Sequence, residues 1–245
     1  MASTRLSTAG LSRLSEKVSI PTYDRGRTTP RILHRGVGGF HRAHMADYTD
    51  DLLKADGTDW AINGVGLTER DRQMADTLSA QDYLYTVMIK SPTAEEVRVI
   101  GSITGFFLYP GGAGELCKRV ADADYRIISL TVTENGYRYK GDNRDLDLED
   151  PGVAHDLEHP EDPKSVVGFL FRIARLRMEA DRPLPTFMSC DNLPHNGSIL
   201  RKLVLQFAHE VDPEAEQVLE QRGAFPNSMV DRITPTTTDE DRDHL

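Results

Sequence analysis

Four residues, Gly36-Val37-Gly38-Gly39, restrict this chain more than any others. They follow a short β-leaning segment at 31–33. They run into residues 42–54, where Ala43, Ala46, Leu52 and Leu53 recur at the spacing of an amphipathic helix. A strand that turns into a helix within four residues needs backbone without a Cβ. The turn also leaves unpaired N–H groups and the positive end of a helix dipole facing one point. Residues 60–65 read as a second strand ending at Gly66, and residues 69–78 as the next helix. Strand, glycine turn, helix and strand make the first half of a dinucleotide-binding unit. The pattern is incomplete, because His41 stands where G-x-G-x-x-G has its third glycine.

The rest of the chain fits an α/β architecture. Segments 83–89 and 97–103 alternate and are rich in aromatic and β-branched residues, which predicts a hairpin, either an antiparallel insertion or an edge of the sheet. Residues 115–123 read as a helix opened by Gly111-Gly112, and 125–133 as a strand ending in Glu134-Asn135-Gly136. The acidic stretch 140–163 reads as a surface excursion with at most one short helix. A strong amphipathic helix is expected over 165–180, a strand over 186–190 ending at Asp191-Asn192, and helices over 199–209 and 213–222. Asn196 or Ser198 would cap the first of these two helices. Residues 1–17 read as a frayed lead-in helix. Residues 1–30 are expected as a lead-in, 31–235 as one domain and 236–245 as a polar tail. Strands followed by helices give a mostly parallel sheet, whose functional groups collect at the carboxyl ends of its strands. Residues 36–39, 66–71, 134–135 and 191–192 fall at such ends.

Composition removes several classes of function. With 29 basic and 39 acidic residues among 245, the net charge is −10, against a nucleic-acid partner. No apolar run approaches a membrane span, and the amino terminus has no apolar signal core, so no membrane partner and a cytoplasmic location are expected. Two cysteines make neither a disulfide framework nor a cysteine zinc site, and no metal is expected. The absence of G-x-S-x-G and of a Walker lysine disfavours acyl transfer and P-loop chemistry.

Individual residues stay ambiguous on pattern alone. Glu69 and Asp71 are both placed to hold ribose hydroxyls, and each could instead complement a helix dipole. Arg70 and Arg72 beside them could accept a 2′-phosphate. His41, Arg42 and His44 form a small basic cluster for a phosphate, or pack beside the turn. An Asn192 amide could donate to a developing alkoxide, against a simple Asx turn. Asp231-Arg232 reads as a buried ion pair or a surface turn.

Seven segments together carry a resemblance: GVGGFHRAH (36–44), DWAINGVGL (59–67), QDYLYT (81–86), VRVIGSI (97–103), SLTVTENGY (129–137), MSCDNLPHNG (188–197) and FPNSMVDRITP (225–235). They resemble the polyol-specific long-chain dehydrogenases/reductases, the mannitol dehydrogenase family. The resemblance implies an expanded Rossmann-type sheet, NAD as cofactor, and metal-free hydride transfer between a polyol and its ketose. Mannitol and fructose are the expected pair, with fructuronate, altronate and arabinitol the substrates of sister enzymes. By match, Gly36, Val37, Gly38, Gly39, Phe40, His41 and Arg42 would line the pyrophosphate turn, and Asp71 would bind ribose. Asn192 would both bind the cofactor and hold the reacting oxygen, Glu134 would move protons, and Asp231 would support that region. Arg70 stands where the family has a second acid, and Arg35 where it has an aliphatic residue. The family also has a second, mostly helical domain with a catalytic lysine in K-x-x-x-x-N-x-x-H, a motif this sequence lacks. The expectation is a cofactor domain that binds NADH, turns over little polyol by itself and self-associates through an uncovered face, where longer members would be monomeric. An NAD(H)-binding module without turnover and a Rossmann-like methyltransferase are the competing readings.

Overall fold

Ile32 and Leu33 on successive positions of one strand point to opposite faces, and both are buried. A strand covered on both sides belongs in the middle of a layered α/β structure. The computed structural model describes residues 5–66, 69–109, 112–230 and 232–244, apart from the side chains of Arg70 and of 242–244. Its first strands are β1 (Val18–Ser19), β2 (Thr29–Arg35) and β3 (Trp60–Gly66), with helices α1 (Gly39–Ala43) and α2 (Met45–Lys54) between the last two. Helix α3 (Arg72–Ser79), strands β4 (Tyr85–Lys90), β5 (Glu95–Ile100) and β6 (Ile103–Leu108), helix α4 (Gly114–Asp122) and β7 (Ile127–Leu130) follow. Next come β8 (Tyr139–Lys140), β9 (Asp145–Leu146), α5 (Pro151–Glu158), α6 (Val166–Glu179), β10 (Thr186–Ser189), α7 (Asn196–Val211), α8 (Pro213–Arg222) and α9 (Asp239–His244).

Five strands in the order β10-β7-β2-β3-β6 form one sheet, all neighbours parallel. The chain winds outward from β2 through β3 to β6, then crosses back to β7 and β10. Winding reverses between β2 and β7, where such sheets open a crevice at their carboxyl ends. One face packs Ile32, Ile62 and Ile103 against Ala46 of α2 and Leu78 of α3. The other packs Leu33 and Ile128 against Phe169, Phe171, Leu203 and Phe207 of α6 and α7.

The hairpin β4–β5 is an insertion: it pairs with β1 in a separate three-stranded sheet. The expected strand at 97–103 divides at Gly101-Ser102, and β6 beyond it is the third parallel strand, which the alternation does not reveal. The corner is pinned: the Gly101 amide donates to Asp50 Oδ1 at 2.9 Å, and Arg25 Nε donates to the Gly101 carbonyl at 2.9 Å. The helix expected over 42–54 is two helices, broken at His44 with φ −127° and ψ −92°. The lead-in contains a 3-10 helix, Thr8–Arg13, in place of an α-helix. Neither expected cap serves α7: Asn196 is its first residue, and the Ser198 amide is met at 3.0 Å by Asn227 Oδ1 from across the chain. The polar tail carries α9, where Asp241 accepts from Lys90 of β4. Gly111, expected to open α4, lies outside the described residues.

Gly36 has φ +95°, and a Cβ there would sit 2.9 Å from the Thr131 carbonyl carbon and closer still to its oxygen. Gly36→Ala combines left-handed strain with a backbone clash, so a loss of roughly 2–4 kcal/mol is expected. Urea denaturation measures it; a loss under about 1 kcal/mol would show that the β2 turn yields to the side chain.

Candidate functional site

Four chain segments converge at the carboxyl edge of the sheet: the turn after β2 and the ends of β3, β7 and β10. At the turn the three glycines differ in what requires them. Gly36 is demanded by Thr131. A Cβ on Gly38 would approach only the Gly36 carbonyl, at 3.9 Å, and one on Gly39 would meet nothing within 4 Å. Both are exposed. The protein's own packing does not ask for glycine at 38 and 39, whereas a bound group resting on the backbone would. Val37 is buried against β3, its Cγ2 2.7 Å from where a Gly64 Cβ would lie, so only its backbone faces the turn.

The basic cluster after the turn is separated by burial. His41 is 1% exposed and stacks on His34 with centroids 3.4 Å apart and planes 11° from parallel. His34 is tied to Ser129 Oγ at 2.8 Å and Thr131 Oγ1 at 2.9 Å, while neither ring nitrogen of His41 has a partner. Desolvation holds both rings neutral, lowering His34 to about 3 and His41 well below its usual value. Arg42 reaches back to the Gly38 carbonyl at 3.3 Å and lies over the Tyr85 ring. His44 stacks on Phe40 at 4.9 Å. Positive charge at the turn therefore comes from Arg42 rather than from His41.

At the end of β3 the two candidate acids part. The Asp71 side chain lies over Gly66, its Cγ 2.8 Å from where a Cβ would stand. Glu69 is exposed and holds Arg72 by two hydrogen bonds, at 2.6 and 2.9 Å, which keep its carboxyl below the usual range. The Arg70 side chain lies outside the described residues. Arg35, at the end of β2, has a buried Nη1 without a partner. Burial pulls its guanidinium down to about 10, partly offset by the Asp71 carboxylate.

At the ends of β7 and β10, Glu134 is exposed and accepts from the Tyr139 hydroxyl. Asn192 is exposed, and its neighbour Asp191 is not: the Asp191 carboxylate accepts from the amides of Val132 and Thr133 and from the Tyr137 hydroxyl. Hence Asp191 braces the β7 loop rather than making an Asx turn. Asn196 is fully buried and clasps Ser228 on both sides, donating to its carbonyl at 3.1 Å and accepting from its amide at 2.9 Å. Gly197 allows this approach, since a Cβ there would lie 2.7 Å from the Phe225 carbonyl oxygen. Farther on, Arg232 donates to Asp47 Oδ2 of α2 at 2.6 Å and to the Ala43 carbonyl. Asp231 lies outside the described residues. His34 escaped the sequence reading, and Asp191 and Asn196 entered it only as a strand end and a helix cap, because their roles depend on partners tens of residues away.

Among the described residues no three His, Cys, Asp or Glu side chains are grouped to hold a metal ion, and no helix is long and apolar enough to cross a membrane. An open groove of about 620 Å³ lies at the opposite, amino edge of the sheet, lined by Arg31, Trp60, Arg126, Ile127 and Thr186.

Residues 30–245 match the family model described as the mannitol dehydrogenase Rossmann domain. The chain is 42% identical over 234 residues to a mannitol 2-dehydrogenase of Pyricularia oryzae, covering 94% of this chain and 46% of that protein. It is 41% identical over 254 residues to one of Neosartorya fischeri, covering 100% of this chain and 50% of that protein. Among solved structures, the Pseudomonas fluorescens mannitol 2-dehydrogenase ternary complex with NAD and D-mannitol superposes with a TM-score of 0.94 at 44% identity, over 99% of this chain and 50% of that one. A D-sorbitol dehydrogenase in substrate-free form gives 0.92 at 39%, over 98% and 50%. The chain thus spans about half the length of these relatives.

The neutral histidines make stability depend on pH with a definite sign. An unfolded histidine takes a proton near pH 6.5, whereas folded His34 resists it down to about 3. The unfolded chain binds more protons in that window, so stability is full above about 6.5 and falls as pH falls. Each such histidine contributes a slope of up to about 1.4 kcal/mol per pH unit. His41→Phe, which keeps a ring against His34, should flatten the fall between pH 6.5 and 5. Urea midpoints across that range test it, and an unaltered slope would mean that folded His41 takes up protons.

Proposed function

The chain belongs to the mannitol dehydrogenase family, and from that membership we propose that it forms the NAD-binding part of a polyol dehydrogenase interconverting D-mannitol and D-fructose. The observation that carries the reading is the reversal of winding between β2 and β7, bordered by glycines at 38 and 39 that the protein's own packing does not require. An open cradle of that kind fits a pyrophosphate lying on the backbone.

Gly36, Val37, Gly38, Gly39, Phe40 and His41 supply that turn. The first N–H groups of α1 have no partner within the helix and are available to phosphate oxygens. Arg42 adds charge over Gly38. Asp71, at the end of β3, accepts the ribose hydroxyls and repels a 2′-phosphate; Arg35 nearby weakens that repulsion. When bound, NAD supplies the hydride acceptor. Oxidising a secondary alcohol also requires its proton to leave. The Asn192 amide donates to the reacting oxygen, which orients it and stabilises developing charge. Glu134, exposed at the mouth of the crevice, passes the proton toward water, with Asp231 supporting the same region. By the family pattern the primary base is a lysine on a helical domain, so turnover belongs to the whole protein. Residues 31–235 form the cofactor unit, and the location is cytoplasmic. The D-sorbitol dehydrogenase neighbour supports a second reading in which sorbitol is the polyol.

Gly38→Asp puts bulk and negative charge into the cradle, so NADH affinity, read by fluorescence titration, should be lost. Affinity equal to wild type would remove the turn from the site. Asp71→Ala should weaken NAD and favour NADP by roughly 1–3 kcal/mol, the worth of one charged hydrogen-bonded contact. Both dissociation constants are needed; an unchanged ratio would point to Glu69 or to no acidic clamp.

A further inference from the structure

Thr133 stands at φ +63° and ψ +165°. That region belongs almost wholly to glycine, and for a β-branched residue it is a genuine outlier that persists only where the surroundings impose it. The residue is exposed, so packing around its side chain does not impose it. The constraint is on its backbone. The Thr133 amide donates to Asp191 Oδ1 at 2.9 Å and the Val132 amide to Oδ2 at 3.2 Å. Tyr137 Oη donates to the same Oδ2 at 2.6 Å. Tyr137 is fully buried, and burial beside Asp191 raises its hydroxyl well above the usual range, so it keeps the proton it donates. The Ser189 hydroxyl completes the cluster at Tyr137 Oη.

One carboxylate just past β10 thus takes three hydrogen bonds from the loop after β7. It does so one step past the point where the ladder between these strands ends, at the Cys190 amide on the Leu130 carbonyl. Glu134 follows Thr133 directly, and Asn192 follows Asp191 directly. We infer that Asp191 is a positioning residue: its carboxylate holds Thr133 in the strained conformation and so fixes Glu134 and Asn192 relative to each other across the ends of β7 and β10. The inference rests on the proposed roles of Glu134 and Asn192. It adds a residue that need not touch substrate or cofactor, because its oxygens are occupied by the loop.

The test separates positioning from mere folding by removing the strain itself. Asp191→Asn replaces an accepting oxygen with a donor, so it should lower the melting temperature, speed amide exchange at Val132 and Thr133, and weaken NADH binding about tenfold. Thr133→Gly alone, with Asp191 still bracing the loop, should keep NADH affinity within about twofold, since glycine adopts that backbone without strain. In the double variant Asp191→Asn with Thr133→Gly, the melting temperature should recover while amide exchange stays fast and NADH binding stays weak. Recovery of affinity together with the melting temperature would overturn the inference, as would unchanged exchange and affinity in Asp191→Asn. Failure of the wild-type chain to bind NADH would instead overturn the cofactor reading, and exchange at Val132 and Thr133 would then decide the role of Asp191.

Discussion

The approach of Gly36 to the Thr131 carbonyl is the contact on which the rest of this structure depends. It brings the turn after β2 against the end of β7, at the place where the winding of the sheet reverses. A crevice forms at such a point because neighbouring connections leave in opposite directions. The same contact is reinforced from beneath. His34 bonds Thr131 Oγ1, and Thr131 Oγ1 donates to the Gly36 carbonyl at 2.6 Å. A ring that must stay neutral to lie there then carries His41 stacked upon it, so the turn, both strand ends and the start of α1 move as one unit.

Buried and half-buried carboxylates do much of the joining elsewhere. Asp162 Oδ1 accepts from the amides of Ala113 and Gly114 at the start of α4. Asp156 accepts from those of Lys164 and Ser165 before α6. Asp50 holds the Gly101 corner and the Tyr23 hydroxyl, and Asp191 braces the loop after β7. Each satisfies donors, most of them backbone N–H groups, that a loop would otherwise leave unpaired. Part of the excess of acids in the sequence is therefore interior architecture rather than surface potential. Arginines play the converse part: Arg177, 2% exposed, donates to the carbonyls of Ala123, Tyr125 and Pro183 and ties α6 to the start of β7.

These joints explain the shape of the crevice edge. Asn196 clasps Ser228, whose hydroxyl donates to the Ser189 carbonyl of β10, and Arg232 bonds Asp47, so the segment leaving α8 is fastened to β10 at one end and to α2 at the other. Ser228 and Arg232 are four residues apart, at most about 14 Å of chain. Strands β10 and β2 are two sheet spacings apart, about 10 Å. These two anchors hold the segment leaving α8 at the carboxyl edge, on β10 and on α2.

The alternation of the strands, the glycines after β2, and the amphipathic runs that became α6, α7 and α8 were written in the sequence, because period and local backbone freedom are local properties. From them follow the parallel sheet and the placing of Gly36, Asp71, Glu134 and Asn192 at the carboxyl ends of its strands, whereas the strand order that sets the switch point does not. Local pattern failed where a distant partner decided. It missed β6 because the Gly101 corner is held by Asp50 and Arg25. It joined α1 to α2 because nothing local marks the break at His44. It left Glu69 and Asp71 equal because only the fold turns one over Gly66 and leaves the other to Arg72. It left His41 between holding a phosphate and packing beside the turn, and burial on His34 deprives that ring of charge. Which polar groups are desolvated, and which backbone donors they must satisfy, depends on what lies across the sheet, and only the tertiary structure brings those atoms together.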